Sequence, residues 1–222
     1  MLEPEIAYAD ATEAMNVAES LVRHGVCATV ATHPEEVAVA LALADREGVL
    51  GGEDLAKCLE RPFGRVTFKE AKRLLAETPS APKFDPSVPS LRLEEEKYLA
   101  DNVFQGPVFV TDFPAVGKPF YCRRNNDRDD TVACFDLLLP RLGEVVGGAQ
   151  REERSDVLDA AVESQGGEKL ANSLHWYRQL RYYGAMSAGF GLGFDRLLMA
   201  IVGASNVRDV VAFPRSPGNC LM

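Results

Sequence analysis

The stretch Gly189-Phe190-Gly191-Leu192-Gly193-Phe194-Asp195-Arg196, running into the helical apolar set Leu197, Leu198, Ile201 and Val202, constrains this chain more than any other part of it. Glycines at alternate positions leave one face of an extended segment bare, so a flat ligand can lie against backbone that side chains would otherwise cover. Arg196 then falls in the first turn of the helix, where a guanidinium can stack on an aromatic base or grip a phosphate through a two-pronged hydrogen bond. The spacing is not that of a GxGxxG dinucleotide loop, because Phe194 stands in the sixth position, and no GxxxxGK[ST] phosphate loop occurs anywhere in the sequence.

Around this unit the pattern is first helical, then extended. Glu3 to Tyr8 predicts a short strand, and Asp10-Ala11-Thr12-Glu13 a capping box for a helix that carries Ala14, Ala18, Leu21 and Val22 and closes at Gly25. A second helix is expected over Thr32 to Arg46, before Gly48, and a third from Thr67-Phe68-Lys69-Glu70. Pro79, Pro82, Pro86 and Pro89 make residues 78–90 a loop. Pro107 to Phe113, Pro119 to Cys122, Val132 to Leu139 and Glu144 to Gln150 then read as strands, and Leu170, Leu174, Tyr177 and Leu180 mark a later helix. The fold class that follows is α+β, an antiparallel sheet flanked by helices. With 222 residues and 46% hydrophobic content, the chain can bury a substantial core as one domain or as one domain plus an insertion.

The hairpin around Pro140 carries local chemistry. If its strands pair about Pro140, Asp136 and Glu144 face each other on one side of the sheet. Carboxylates that close repel, and an oxygen-loving cation such as Mg²⁺, bound together with nucleotide phosphates, is one way to stabilise them. Two separately solvated acids on an exposed sheet face are the other. Strict alternation from Glu144 turns Arg151 to the opposite face, so a bulge at Gly147-Gly148 is needed to bring it to the same side.

A net charge of −9 with no basic tract leaves any grip on RNA to local patches. No apolar run approaches a membrane span, and the N-terminus has no charged-then-apolar signal pattern. Cys27, Cys58, Cys122, Cys134 and Cys220 form an odd set without a CxxC pair and read as reduced core or surface thiols, with zinc ligation as the alternative.

The glycine strand with Arg196 resembles the third signature motif of the class II aminoacyl-tRNA synthetases. Asn206-Val207-Arg208-Asp209-Val210-Val211-Ala212-Phe213-Pro214-Arg215-Ser216-Pro217-Gly218-Asn219 is similar to the closing segment of asparaginyl-tRNA synthetases. Phe109-Val110-Thr111-Asp112-Phe113-Pro114, Pro119-Phe120-Tyr121, Phe135-Asp136-Leu137-Leu138 and Gly147-Gly148-Ala149-Gln150-Arg151-Glu152-Glu153-Arg154 fall in that family's order and spacing. The QREER ending favours the asparaginyl over the aspartyl enzymes, which usually continue QRIHD. The resemblance runs from about Leu2 to the last residue. It implies the C-terminal portion of a class II catalytic domain over 1–222, with a helical, Pro-rich insertion at about 48–100.

The resemblance also implies an activity: a cytoplasmic ligase that uses ATP and Mg²⁺ to activate asparagine and transfers it to tRNA(Asn). Asp136 and Glu144 would hold the metal. Glu144, Gly189, Gly191, Gly193 and Arg196 would bind ATP, with Arg196 as the catalytic arginine at adenine and the γ-phosphate. Glu3 and Arg151 would bind the amino acid. A carboxamide presents one acceptor and two donors, so Glu3 can accept from its NH₂ while Arg151 donates to its C=O. Aspartate would set a carboxylate against Glu3. A plain strand-end ion pair is the other reading of Glu3 and Arg151.

Glu3-Pro4-Glu5-Ile6-Ala7-Tyr8-Ala9-Asp10 resembles the stretch after the family's second motif. The first motif, which builds the family's homodimer, the second motif and the anticodon-binding barrel are not in this sequence, so activity is expected only within a longer chain. A surface that would meet the missing half is expected to be apolar and open. A tRNA-independent asparagine synthetase-like enzyme, an aspartyl-tRNA synthetase-like enzyme and a non-catalytic fragment binding amino acid or a partner chain are the alternatives.

Other residues read as structural. His24, His33 and His175 are isolated from ligand partners, and Ser187 stands where the family commonly has histidine. Leu91 to Tyr98 departs from the family's LQTEHERYL, and Glu94 to Glu96 are expected to form a solvated face. Trp176, Tyr182 and Tyr183 are expected to pack, and Asp112 is a structural candidate at a strand end.

Overall fold

The computed structural model describes residues 1–43, 51–83, 85, 87–126, 130–184 and 186–218. The expected end of the second helix at Arg46 and Gly48, together with Pro86, Asn219 and Cys220, lies outside them. Strand β1 (Glu5–Ala7) leads into α1 (Ala11–Thr32), capped as the sequence predicts: Asp10 accepts from the Glu13 N–H at 2.8 Å and Glu13 accepts from the Asp10 N–H at 2.9 Å. α1 does not stop at Gly25. The glycine sits where the helix crosses Leu197, and a Cβ there would lie in ordinary contact at 3.7 Å, so it is a point of helix packing and no terminus.

The chain continues through α2 (Pro34–Leu43), α3 (Gly52–Cys58), β2 (Gly64–Thr67) and α4 (Phe68–Glu77), where Thr67 accepts from the Glu70 N–H at 3.2 Å. Then come α5 (Leu93–Tyr98), which winds into a π turn over Leu99–Val103, and the strands β3 (Val108–Pro114), β4 (Thr131–Leu139) and β5 (Gly143–Gln150). α6 (Ser155–Ser173), α7 (His175–Tyr182), β6 (Ser187–Leu192) and α8 (Phe194–Val202) complete the fold. The single later helix expected from the Leu170–Leu180 spacing is two, with a further break at Gly167, whose φ of 58° is not helical.

The six strands lie in the order β1-β6-β5-β4-β3-β2, antiparallel except for β2, which runs parallel to β3. The sheet is therefore mixed. A parallel neighbour needs a long crossover, and α4 and α5 supply it between β2 and β3. Residues 119–122, expected as a strand, are joined to the sheet only through the isolated bridge of Cys122 to Arg151. One face of the sheet packs Phe135, Leu137, Val146, Phe190 and Leu192 against apolar residues of α1 and α8. The other face packs Val110, Phe113, Cys134, Leu138 and Ala149 with residues of α4 and the π turn.

Trp176, Tyr182 and Tyr183 do not pack away: they are 61%, 58% and 93% exposed, and Leu180, Tyr8 and Met186 are also open. α7 buries none of its residues, because the core needs only Leu174 and Tyr177 from this region and nothing described covers its outer face. Among the described residues no single helix is long and apolar enough to cross a membrane.

Candidate functional site

The site is built where β5 meets β4 on one side and β6 on the other. The β4–β5 hairpin turns about Arg141 and not Pro140: Leu139 pairs with Gly143, and Arg141 and Gly143 take the positive φ values of 62° and 85° that the turn needs. Leu138 then pairs with Glu144 but Leu137 with Val146, leaving Val145 as an extra residue. Val145 and Val146 both bury in the helix-side core, which identifies a bulge. It stands at Val145, not at Gly147-Gly148 as expected, and it returns Gly147, Ala149 and Arg151 to the face of Glu144. The freed Val145 carbonyl accepts the Gly193 N–H at 2.9 Å and so fixes the start of α8.

Asp136 consequently pairs with Gly147 and not with Glu144. The two carboxylates still meet: a Cβ on Gly147 would stand 2.8 Å from Glu144 Oε1 and 3.5 Å from Asp136 Oδ1. Burial pushes the Asp136 carboxyl up to about 6; Lys118 opposes this, and the negative charges of Glu144 and Glu96 add to it. Lys118 Nζ stands 3.5 Å from Asp136 Oδ2 and 3.8 Å from the centre of the Phe113 ring.

Glu96 belongs to this acidic set. Its carboxylate accepts the Glu144 N–H at 3.1 Å, and burial pushes its pKa up. The solvated face expected over Glu94 to Glu96 is thus corrected, for Glu95 is only 1% exposed and is bridged at 3.2 Å by both Lys72 and Arg92. A buried carboxylate requires such partners.

Arg151 follows the last residue of β5, four positions beyond Gly147. Its guanidinium grips Glu5, with Nη2 2.9 Å from Oε2 and Nε 3.1 Å from Oε1, and lies over the Tyr121 ring at 4.9 Å. The ion pair expected at Glu3 is therefore made by Glu5, its neighbour two residues on along the same strand edge. Burial works against the charge on Glu5, but the hydrogen bonds and charge of Arg151, with a 3.1 Å hydrogen bond from Ser187 Oγ, outweigh it and hold the carboxyl below its usual range. Ser187 also accepts from Arg181 at 3.2 Å. Gly189 pairs with Glu5, and a Cβ there would collide with the Glu5 carboxylate, so the close approach requires glycine.

These groups enclose a cavity of about 440 Å³ lined by Glu3, Glu5, Lys118, Asp136, Gly147, Arg151, Gly189 and Gly191, with Cys122 and Cys134 in its wall. Burial pushes these two thiols up to about 11 and about 12. Glu3 makes no hydrogen bond or ion pair with a described residue. Arg196 is expected to bind ATP together with Glu144 and the β6 glycines. It donates to the Glu144 carbonyl, and its side chain lines a neighbouring concavity of about 580 Å³ with Lys97 and Arg141. Gly193 stands at the N-terminus of α8, outside the first cavity wall. The three histidines are exposed and away from it.

The sequence reading assigned none of Lys118, Glu5 and Glu96 to the site. The signals were slight: Glu5 shares the strand alternation of Glu3, and Lys118 immediately precedes Pro119-Phe120-Tyr121. Among the described residues no cluster of three or more His, Cys, Asp or Glu side chains is placed to hold a metal. Two converging carboxylates with surplus negative charge fit an ion that takes its remaining ligands from phosphates and water, as Mg²⁺ does.

The family model for class II tRNA synthetases (D, K and N) matches residues 1–217. The chain belongs to this family. It is 43% identical over 220 residues to the asparagine–tRNA ligase of Clostridium botulinum (strain Eklund 17B / Type B), covering 98% of this chain and 46% of that protein. The chain thus spans about half the length of the curated relatives it matches. Asparaginyl-tRNA synthetase from Pyrococcus horikoshii superposes with a TM-score of 0.84 at 29% identity, over 98% of this chain and 49% of that one. The same enzyme complexed with asparaginyl-adenylate gives 0.84 at 30% identity, over 98% and 47%. The cavity lies on the sheet face away from α1 and α8, beside the second apolar cluster and against the bare backbone of β6.

Proposed function

We propose that this chain forms the amino-acid- and ATP-binding half of a cytoplasmic asparagine–tRNA ligase. The observation that carries the reading is the Arg151–Glu5 fork lying on Gly189 in the same cavity as Asp136, with Glu144 beside it. Arg151 donates to the carboxamide oxygen of asparagine, and Glu3, the uncommitted carboxylate of the cavity, accepts from its NH₂. Glu5 keeps the guanidinium in place. Asp136 and Glu144 would hold Mg²⁺, which when bound neutralises nucleotide phosphate charge. Gly189 and Gly191 form the floor, Gly193 sets the start of α8, and Arg196 reaches adenine and the γ-phosphate.

With the substrates so placed, an asparagine carboxylate oxygen attacks the α-phosphorus of ATP and pyrophosphate leaves. The terminal ribose hydroxyl of tRNA(Asn) then takes the aminoacyl group from AMP. Such a reaction runs on positioning and charge stabilisation, with no protein nucleophile. The tRNA grip and the homodimer interface belong to other parts of a longer protein, within which we place the complete reaction.

Titration calorimetry of this chain with non-hydrolysable sulfamoyl analogues of asparaginyl- and aspartyl-adenylate tests the reading. A hydrogen bond to a charged group is worth about 1.5–3 kcal/mol, so the asparaginyl analogue should bind roughly 10- to 150-fold more tightly. Equal affinity, or preference for the aspartyl analogue, contradicts it.

A further inference from the structure

We infer that Cys122 and Cys134 form a dithiol modification site in the wall of the cavity, convertible to an intramolecular disulfide by a hydroperoxide. The proposed adenylation uses neither thiol. Strand pairing brings the two side chains together. Arg124 bridges Val132, flanked by hydrogen bonds from the Asn125 N–H to the Thr131 carbonyl at 2.9 Å and from the Ala133 N–H to the Arg123 carbonyl at 2.8 Å. Arg123 itself lies between the strands, its N–H donating to the Gln150 carbonyl at 3.0 Å while its carbonyl accepts from Ala133, so Cys122 and Cys134 flank one hydrogen-bonded junction; the residue directly opposite Cys134 is Ala149. Disulfides span Cα separations of about 4.4–6.8 Å.

β5 sets the spacing: Cys134 pairs with Ala149 and Cys122 bridges Arg151, just past the end of β5 and on the same face, so the two cysteines stand side by side about 6.6 Å apart along the strand direction, inside the disulfide span. Both thiols are buried, at 4% and 3% exposure, and both line the same cavity, which gives a small oxidant a route to them. Cys27 and Cys58 lie elsewhere, on α1 and at the end of α3.

The chemistry closes without an unnamed reagent. One cysteine sulfur attacks a peroxide oxygen, the O–O bond breaks, and a sulfenic acid and water form. The second sulfur then displaces the hydroxyl, the S–S bond forms, and a second water leaves; two thiols are oxidised and one hydrogen peroxide is reduced. Cys122 ends the segment that carries Lys118, and Cys134 stands two residues before Asp136. The crosslink would tie the Lys118 segment to β4 within the cavity wall.

The test is non-reducing peptide mapping by mass spectrometry after the folded chain meets excess hydrogen peroxide for hours, since burial slows the first attack. The expected product is a linked Cys122–Cys134 peptide pair, about 2 Da lighter than the two reduced peptides and separated by a reductant. Cys122→Ser and Cys134→Ser should each abolish it. Unfolding in urea before oxidation should reduce it to a minor share among scrambled pairings. The inference is overturned if Cys27 is oxidised in the folded chain while Cys122 and Cys134 return unlinked, or if the pair forms equally well in urea.

Discussion

On the helix side of the central strands, Phe135, Leu137, Val146, Phe190 and Leu192 are at most 3% exposed and pack toward α1 and α8. The opposite side of the same strands presents Asp136, Glu144, Gly147, Arg151, Gly189 and Gly191. Alternation gives the two faces different work. One buries apolar area against α1 and α8; the other buries a second apolar cluster under α4 and, beside it, holds like charges together over bare backbone as a binding surface. The Val145 bulge joins them, because one residue added to the apolar face moves Arg151 to the charged one.

The contrast can be broken by mutation, and the largest effect belongs on the helix side. Phe135 is fully buried between Phe109 and the neighbouring strands, so Phe135→Ala should lower unfolding free energy by about 3–5 kcal/mol, read from the denaturant midpoint. Glycines should then separate the faces. At Gly148 a Cβ would strike the Phe135 ring and come within 2.7 Å of Phe190 Cβ and 2.8 Å of the Gly189 carbonyl, so Gly148→Ala should cost about 1–3 kcal/mol.

Asp136 sharpens the contrast in the opposite direction. Its pKa is raised from 3.8 to about 6, so between those values the folded chain holds the proton more tightly than the unfolded chain. That stability is fully present below about pH 4 and lost as pH rises through about 6. With EDTA present, Asp136→Asn should remove the decline and leave the chain about 1–2 kcal/mol more stable at pH 8. A variant less stable at pH 8, with the same pH slope, would mean that the pairing with Lys118 outweighs the burial of the charge.

The smallest stability change is expected at Gly147, where a Cβ meets only the movable carboxylate ends of Glu144 and Asp136. Gly147→Ala should shift unfolding by no more than about 0.5 kcal/mol while weakening binding of the adenylate analogue, and a stability loss as large as that of Gly148→Ala would deny the difference between the faces.

The sequence made the glycine strand, the Asp10 capping box and the meeting of Asp136 with Glu144 legible, since each depends on residues close in the chain. The route to the acid pair was nevertheless wrong in register. Glycine ordinarily marks a bulge, so Gly147-Gly148 drew the expectation, whereas those glycines serve close approach and two adjacent valines carry no bulge signal. Burial of Glu95 was not legible because its partner Lys72 lies 23 residues away. The parallel pairing of β2 was hidden in a strand of four residues. The aromatics of α7 look like core residues in sequence, and only the fold reveals that no described element covers them.

The central claim is that Glu3 and Arg151 read the asparagine side chain from one cavity. Glu3→Gln tests it most directly, because the mutant amide can donate to a substrate carboxylate that Glu3 repels, while Arg151 and Glu5 remain as they are. The measurement is the ratio of affinities for the asparaginyl and aspartyl analogues by calorimetry, in wild type and variant. The account predicts that a wild-type preference of roughly 10- to 150-fold falls to within about threefold in Glu3→Gln. An unchanged ratio, with both ligands still bound, would contradict it.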